Sequence, residues 1–482
     1  MPGSSLGNIQ HIVVLMLENR SFDNLLGWQY GLTSSNGNTY YNPPPNGPTT
    51  TVGSWSNTGT DWDTMTIPNP DPGELFEQMN QQIFGLLTTP PGGTLPTAPG
   101  PLGAMGGFVQ NYLTIPGVTT SNVNNIMHAF TAAQVQALST LAAAFTAVET
   151  YYASAPCQTL PNRCFAQLGT ANGFVDNETV FPDGTRIING PYFGTTIFNQ
   201  ISATSGVDWR VYFGDFPLTL AMADVWPYSF SNFRWFVDFE TDVKNGDLPA
   251  YTWIEPSYLV LPNDMHPPFD VLLGDMLVAQ VYNTLRGSSL WENTLLIITC
   301  DEHGGCYDRF YPGSAPPPGG PYLDGFTFDR YGVRVPTVLC SPYIPATQTG
   351  TSGPVYDHTS ILSTVRSVFG VEGGALSQRE AAATGLGGFL TLSAPNLNLG
   401  PETVSAAAPG TQVVTNEPLS PLQRVLVKLA SIVPQPENIP QTQAALMAYR
   451  LDRSTNVVPD RETGKQIVLS ASARLFPPPR SA

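Results

Sequence analysis

The chain has 482 residues, of which 20 are Lys or Arg and 37 are Asp or Glu, so its formal net charge is −17. This charge excludes a protein that binds nucleic-acid phosphates along a basic surface. Only three residues are lysine (Lys244, Lys428 and Lys465), which leaves no polybasic patch for a membrane surface. Hydrophobic residues make up 41% of the chain, enough for a large buried core, and the 45 glycines and 46 prolines indicate long loops.

No apolar run approaches the roughly 18 residues that a membrane-spanning helix requires. The first ten residues lack the basic and apolar regions of a secretory signal. We therefore expect a protein without an integral membrane segment, either cytoplasmic or exported by a non-classical route. The five cysteines, an odd number without CxxC spacing, are expected to be buried thiols rather than disulfides or a zinc cluster.

The first predicted element is a strand at residues 9–17, where an almost continuous apolar run is typical of a buried parallel strand. A short helix is predicted at residues 74–86. Further along, Thr131 and Gln134 form a capping-box pattern, and apolar residues follow them at helical spacing. We expect this helix to end at residues 154–156, because proline cannot continue a helix.

The middle of the chain predicts one short strand and one long helix, followed by two longer strands. The short strand covers residues 209–213, and the helix covers residues 270–286. The next apolar run, residues 294–300, predicts a second central strand. Residues 333–340 predict a further strand, in which Pro336 implies an edge position or a bulge because it cannot donate to the ladder.

A last clear helix begins at Asp357 or Thr359. This alternation of strands and helices predicts an α/β fold with a mostly parallel central sheet flanked by helices. We expect a catalytic domain at residues 1–370, with insertions at about 29–105 and 176–260. The Pro-, Gly- and Ala-rich segment 371–482 is expected to pack on the same domain, with its last residues disordered.

Oxygen-bearing side chains follow both predicted central strands. Glu18 and Asn19 come after the first, and Asp301 and Glu302, followed by His303, come after the second. Ligands bind outside the carboxyl ends of such strands, and these oxygens are of the kind that divalent cations prefer. The alternative is that such acids only cap helices or face solvent. It is weaker for Asp301 and Glu302, since adjacent acids repel unless a cation holds them.

Thr159 lies between the end of the predicted long helix and a Pro-Asn-Arg turn. Its hydroxyl could be a nucleophile if its pKa were lowered. On its own this signal is weak, because Ser and Thr near proline are usually turn residues.

Taken in order, these segments resemble the bacterial phosphoesterase family that contains non-haemolytic phospholipases C and AcpA-type acid phosphatases, relatives of alkaline phosphatase. The resemblance covers roughly residues 8–370, and it implies an alkaline-phosphatase-like fold with long loops over the active-site edge. It also implies metal-dependent hydrolysis of phosphoric esters, with phosphatase and phospholipase C left open. The matching blocks are residues 10–23, 70–73, 107–112, 130–135, 154–163, 266–268, 301–308, 332–336 and 357–360.

The resemblance also implies roles for individual residues. Thr159 matches the family's nucleophile and would form a covalent phosphothreonine. The positions that match metal ligands are Glu18, Asn19, Asp301 and Glu302. One or more divalent ions are expected, and Ca²⁺, Mg²⁺, Mn²⁺ and Zn²⁺ are all possible. The expected substrate contacts are Asn19, His266 and Arg163. His266 could protonate the leaving alkoxide, while His303 and His358 are further catalytic positions that could orient metal ligands; a purely structural role remains open for His358.

One position departs from the family pattern. Where many relatives have histidine after Asp71-Pro72-Gly73, this chain has Glu74. We expect Glu74 either to turn away from the site or to repel the substrate. The alternative function is therefore a catalytically impaired homologue that binds phosphorylated ligands, whereas a serine hydrolase is not supported because no GxSxG motif occurs. The expected partner is a small phosphate ester or a phospholipid head group, and the oligomeric state is left open.

Overall fold

The computed structural model describes residues 5–27, 65–90, 96–181, 185–323, 325–348, 353–407, 418–434 and 460–476, together with Pro478. Much of the predicted insertion at 29–105, namely residues 29–64 and 91–95, therefore lies outside the described residues. The same holds for residues 479–482, which belong to the end that is predicted to be disordered.

The described residues form a central sheet and a small antiparallel hairpin. The strands are β1 (His11–Leu17), β2 (Thr146–Ala147), β3 (Glu178–Val180), β4 (Arg186–Ile188), β5 (Trp209–Phe213), β6 (Phe233–Trp235), β7 (Tyr251–Glu255), β8 (Thr294–Cys300), β9 (Thr337–Cys340) and β10 (Thr347–Gln348). The central sheet has the order β10-β2-β9-β8-β1-β7-β5-β6, and β3 pairs with β4.

β1 lies in the middle of the sheet and pairs in parallel with β7 on one side and β8 on the other. Every residue of β7 and β8 is buried, as is every residue of β1 after His11. Burial on both faces explains why these strands read as continuous apolar runs rather than alternating ones. The predicted α/β class with a mostly parallel sheet is confirmed.

Helices cover both faces of the sheet and the ends of its strands. The α-helices are α1 (Phe22–Leu26), α2 (Phe76–Phe84), α3 (Phe108–Tyr112), α4 (Gln136–Ala144), α5 (Thr159–Leu168), α6 (Ile197–Ala203), α7 (Ser229–Asn232), α8 (Phe239–Lys244), α9 (Val271–Arg286), α10 (Thr359–Phe369), α11 (Gln378–Ala382), α12 (Pro421–Ile432) and α13 (Arg461–Leu475). The predicted helices at 74–86, 270–286 and 357/359 onward correspond to α2, α9 and α10. No helix among the described residues is long and apolar enough to cross a membrane.

The helix that was predicted to follow Thr131 is shorter than its periodicity indicates. Thr131 and Gln134 do bond each other, but α4 begins only at Gln136. Its first turn is capped from α9, where the Asp275 carboxylate accepts the N–H groups of Ala137 and Leu138, each at 2.9 Å. The helix ends at Ala144, because the next residues pair as β2 with β9 and β10. The prediction that it runs to residues 154–156 is wrong.

The predicted edge position of Pro336 is also wrong. β9 lies inside the sheet, antiparallel to both β2 and β8. Pro336 directly precedes its first residue, Thr337, so its missing N–H removes no hydrogen bond from the ladder.

The C-terminal helices α12 and α13 pack against each other. Leu422 and Leu426 of α12 and Val468 of α13 are buried in the same hydrophobic cluster as β1. Among the described residues after position 370, these two helices therefore add to the core around the sheet.

Candidate active site

Two neighbouring parallel strands deliver the first acidic residues of the site to one edge. Leu17 and Cys300 are register partners at the ends of β1 and β8, so Glu18 and Asp301 leave the sheet side by side. The backbone N–H of Asn19 donates to Asp301 Oδ1 at 3.1 Å. These side chains are fully buried, and the predicted convergence of the two strand ends is present.

The two strand-end loops also approach each other through their backbones. Asn19 has φ 51°, in the left-handed region that asparagine tolerates better than most residues. Gly304 has φ 59°, and a Cβ atom there would lie 2.1 Å from the backbone oxygen of Asn19. Only glycine therefore permits this approach, which holds the Asn19 side chain in place above the strand ends.

Thr159 is brought to the same edge by helix α5. Its hydroxyl donates to Glu18 Oε2 at 3.1 Å and lies 3.5 Å from Asn19 Oδ1. It is the first residue of the ten-residue helix α5 rather than part of an isolated turn. The positive end of the helix dipole favours negative charge at this position.

Arg163 lies one helical turn after Thr159 and therefore on the same face of α5. Its Nε and Nη2 atoms donate to Glu18 Oε1 at 2.9 and 2.6 Å, and Nε lies 3.6 Å from Asp301 Oδ2. The side chain is buried. Its contact with substrate stays a prediction; the partner in the structure is Glu18.

Negative charge is in excess at this edge. Burial, and next the neighbouring carboxylates, raise the pKa of Glu18 and Glu302 well above their usual range. Glu302 Oε1 and Asp301 Oδ2 are buried and accept no hydrogen bond, although Asp301 has the ion-pair contact with Arg163. Buried carboxylate oxygens without donors fit a divalent cation, which binds such oxygens directly. The residues present therefore fit the predicted metal ion.

His358 is fixed by its two ring nitrogens. Nε2 lies 2.5 Å from the backbone oxygen of Asp301, which can only accept, so Nε2 carries the proton. The Tyr151 hydroxyl then donates to Nδ1 at 3.2 Å. Burial lowers the pKa of His358, so the ring is neutral and holds the backbone at the end of β8.

His303 is held in a similar way on the other side of Glu302. Its Nε2 lies 2.9 Å from Gln82 Oε1, and its Nδ1 lies 3.4 Å from Glu302 Oε2. Burial lowers the pKa of His303 to about 3. The neutral ring therefore connects Glu302 to helix α2.

His266 lies in the loop after β7 and faces Glu74, the residue at which this chain departs from the family pattern. Its Nε2 lies 3.5 Å from Glu74 Oε1, and its Nδ1 lies 2.5 Å from the backbone oxygen of Pro267. The preceding residue, Met265, has φ 76°, which is strained for a bulky side chain. Such strain is typical of loops that hold a functional residue in place.

Glu74 points into the site and does not turn away. It is 5% exposed, and its Oε1 accepts a hydrogen bond from Asn19 Nδ2 at 2.7 Å. Among the described residues, Asp71, Glu74 and His266 form the one group of three or more His, Cys, Asp or Glu residues whose ligand atoms all lie within 4.8 Å of one another. Of the two outcomes expected for Glu74, turning away from the site is not what the structure shows; repulsion of the substrate stays a prediction.

The profile of the family described as "Phosphoesterase family" matches residues 9–372. The chain belongs to the phosphoesterase family. Its activity class is therefore the hydrolysis of phosphoric esters. The matched residues include all nine positions that the sequence predicts for the site.

Curated relatives of this phosphoesterase carry phospholipase C names. Non-specific phospholipase C6 of Arabidopsis thaliana is 35% identical over 88% of this chain and 81% of its own length. Non-specific phospholipase C4 of the same plant is 34% identical over 89% and 80%. Phospholipase C B of Mycobacterium tuberculosis is 26% identical over 91% and 89%. A solved protein of the alkaline phosphatase superfamily from Vibrio parahaemolyticus aligns with 50% of this chain and 61% of its own, at 10% identity and a TM-score of 0.30.

Several residues that support the phosphoesterase site do not stand out in the sequence. Asp264 is buried, receives the N–H of His266 at 3.0 Å and has an Oδ2 without a hydrogen bond. Gln82 donates to the backbone oxygen of Gly73 and to Asn111, each at 2.8 Å, and so holds the segment that carries Glu74. Of these residues, only Asp264 has a signal in the sequence, because it is an acid two residues before the predicted histidine.

A buried ion-pair cluster also ties the strand-end loops together. Arg334 donates to Asp23 at 2.8 Å and to Asp308 at 2.9 and 3.0 Å, and all three side chains are buried. Asp23 follows β1, Asp308 follows β8, and Arg334 precedes β9. These three residues lie inside the blocks that carry the family resemblance. Their ion pairs give these positions a structural role.

Proposed function

We propose that this phosphoesterase is a metal-dependent phospholipase C that acts through a covalent intermediate on Thr159. The observation that carries the proposal is the position of the Thr159 hydroxyl, 3.1 Å from Glu18 and 3.5 Å from Asn19 at the N-terminus of a helix. A buried hydroxyl held between a carboxylate and an amide oxygen suits a nucleophile. The fold-level resemblance alone would not assign this role.

The proposed substrate is a phosphodiester with a diacylglycerol leaving group. The support comes from the curated relatives, whose names include phospholipase C and whose lengths the chain covers by about four fifths. The motifs do not distinguish a phosphodiester from a phosphate monoester, so a phosphatase remains the second candidate. The two candidates differ in the leaving group and share the same site.

The residues that would hold the cation are Glu18, Asn19, Asp301 and Glu302. A divalent cation bound there supplies electrostatic stabilisation of phosphoryl oxygens and lowers the pKa of a nearby hydroxyl. The rest of the site acts on these ligands. Arg163 orients Glu18, His358 fixes the backbone of Asp301, and His303 contacts Glu302.

In the first proposed step, Thr159 Oγ1 attacks phosphorus while its proton is directed to Glu18 Oε2, the oxygen that already accepts it. The bond from phosphorus to the glycerol oxygen breaks, and His266 protonates the departing oxygen. In the second step, water attacks phosphorus and gives a proton to His266, while the bond to Thr159 breaks and Thr159 Oγ1 recovers its proton from Glu18. Two in-line displacements predict net retention of configuration at phosphorus.

The test uses p-nitrophenyl phosphorylcholine as the diester and p-nitrophenyl phosphate as the monoester, with and without a chelator. We expect faster turnover of the diester, loss of activity with the chelator and recovery with a divalent ion. Thr159→Val keeps the side-chain shape and should lower kcat by at least about 10³-fold, whereas Thr159→Ser should retain part of it. Thr170→Ala, a threonine just beyond the same helix, is the matched control and should keep full activity.

Acid quenching followed by mass spectrometry of the peptide that contains Thr159 tests the intermediate directly. The wild-type protein should carry a phosphorylcholine adduct there, and Thr159→Val should not. Turnover that persists in Thr159→Val would refute the nucleophile assignment. Absence of turnover on both substrates with every added metal would instead favour the impaired homologue, for which Glu74 is the supporting feature.

A further inference from the structure

Asp71, Glu74 and His266 form a second group of ligand atoms beside the proposed metal site. One ligand atom from each lies within 4.8 Å of the other two. His266 is fully buried and Glu74 is 5% exposed; Asp71 is partly exposed, but both of its carboxylate oxygens are buried and accept no hydrogen bond. Two carboxylates and one imidazole in this arrangement are a ligand set for a divalent cation.

A neutral His266 ring carries its proton on one nitrogen, so the other nitrogen can bind a cation. Because the backbone oxygen of Pro267 can only accept, His266 Nδ1 at 2.5 Å from it must be the donor. In the neutral ring, Nε2 then presents a lone pair toward Glu74 Oε1 at 3.5 Å, and Nε2 has no hydrogen-bond partner. A lone pair that faces a carboxylate oxygen in a buried site is unfavourable unless a proton or a metal cation lies between them.

The negative charge of this group is poorly compensated by other side chains. Burial, and next the charge of Glu74, raise the pKa of Asp71 well above its usual range. The charge of Arg20 opposes this shift, and its guanidinium donates to the backbone oxygens of Met265 and Ile67 and to Asn24.

We propose that Asp71, Glu74 and His266 bind a second divalent cation next to the one held by Glu18, Asn19, Asp301 and Glu302. The side chain of Asn19 lies between the two groups, since its amide nitrogen donates to Glu74 and its oxygen faces Thr159. Glu74, an anion where many relatives have histidine, is thereby a ligand rather than a defect. Pairs of cations in hydrolases act on the attacking and leaving oxygens of one phosphoryl group.

This site goes beyond the proposed function and changes one of its assignments. With the second cation bound, His266 serves as a ligand through Nε2, and the leaving oxygen takes its proton from water instead. The proposed function does not depend on it, because Thr159 and the first metal site remain as described.

The test is the metal content of the purified protein and the electron paramagnetic resonance spectrum of its Mn²⁺-loaded form. We expect two Mn²⁺ per chain with a spin-coupled signal in the wild-type protein. Glu74→Gln should retain one Mn²⁺ with an uncoupled six-line signal, and Asp71→Asn should behave in the same way. Glu77→Gln removes the same charge three residues away and should retain both ions. Circular dichroism of each variant checks that it is folded.

Glu18→Gln separates this proposal from the proposed function. If both sites exist, this variant should keep the ion at Asp71, Glu74 and His266 and lose the other. One Mn²⁺ in the wild-type protein that is lost in Glu18→Gln and kept in Glu74→Gln would overturn the second site and leave the first intact. Two ions in Glu74→Gln would also overturn it. So would a wild-type protein that binds no second Mn²⁺, Zn²⁺ or Ca²⁺, because His266 would then form an ion pair with the two carboxylates instead.

Discussion

Replacing Arg163 with methionine tests how the buried charges of the site are balanced. Arg163 makes two hydrogen bonds of 2.9 and 2.6 Å to one oxygen of Glu18, and both side chains are buried. Methionine fills a similar length without a charge or donor. Glu18 would be left beside Asp301 without its positive partner.

The expected loss follows from what the substitution leaves behind. Removing one partner of a buried ion pair typically costs about 3–5 kcal/mol, because the remaining charge is neither solvated nor compensated. We therefore expect the free energy of unfolding to fall by about this amount in the presence of a chelator. A saturating divalent cation should reduce the loss, since a ligand that binds only the folded state stabilises it and a cation restores positive charge beside Glu18.

The assay is equilibrium urea unfolding followed by tryptophan fluorescence, with chelator and with Mn²⁺. The matched control is Arg186→Met, because Arg186 is 46% exposed and lies 3.7 Å from Glu178. A pair whose cation is exposed contributes about 0–1 kcal/mol, and Glu178 keeps a second positive partner in Lys428. If Arg163→Met loses no more than Arg186→Met, or if Mn²⁺ does not reduce its loss, the account of Glu18 as a buried carboxylate in need of positive charge is refuted.

Two further predictions concern the supports of the site and of the sheet. Gly304→Ala should destabilise the protein and abolish most activity, because its Cβ would lie 2.1 Å from the backbone oxygen of Asn19; Gly374→Ala, also at positive φ but with no neighbour within 4 Å, should cost only about 1 kcal/mol and keep activity. Burial raises the pKa of Asp275 to about 7. The stability linked to its protonation is therefore fully present below about pH 4 and lost as the pH rises through about 7. Asp275→Asn should flatten this fall in urea-unfolding curves measured from pH 4 to 8, and an unchanged slope would contradict the raised pKa.

The central strands were predictable because one physical constraint determines them. β1 and β8 are buried on both faces, so the sequence shows unbroken apolar runs that end abruptly at Glu18 and Asp301. Parallel pairing then places both ends at one edge. The same reasoning located these acids without any knowledge of what surrounds them.

The length of α4 and the position of β9 were not predictable in this way. The apolar spacing after Thr131 continues past Ala144, but pairing of Thr146 and Ala147 with β9 overrides the local preference for helix. The cap of α4 comes from Asp275, 138 residues away from Ala137. Contacts over such separations leave no local signal in the sequence.

The orientation of side chains in the site could not be predicted from the spacing of residues either. The family resemblance implies that Glu74 stands where many relatives have histidine, but only the fold shows that it contacts Asn19 and faces His266. Arg163 illustrates the same limit. It was expected to contact the phosphoryl group, yet its Nε and Nη2 donors are directed at Glu18.

These two side chains bear on how a chain of net charge −17 can bind an anionic substrate. Arg163 brings positive charge to the site, but Glu18 and Asp301 already neutralise it. Glu74 adds a negative charge at a position where many relatives have histidine. An anionic phosphoryl group placed between these carboxylates would be repelled unless positive charge outweighs them. Arg163 Nη1 and Arg20 Nη2 have no hydrogen-bond partner among the described residues, but both guanidinium groups lie beside carboxylates. The proposed second cation would offset the charge of Glu74, which is why metal content, rather than activity alone, is the measurement that tests how this site works.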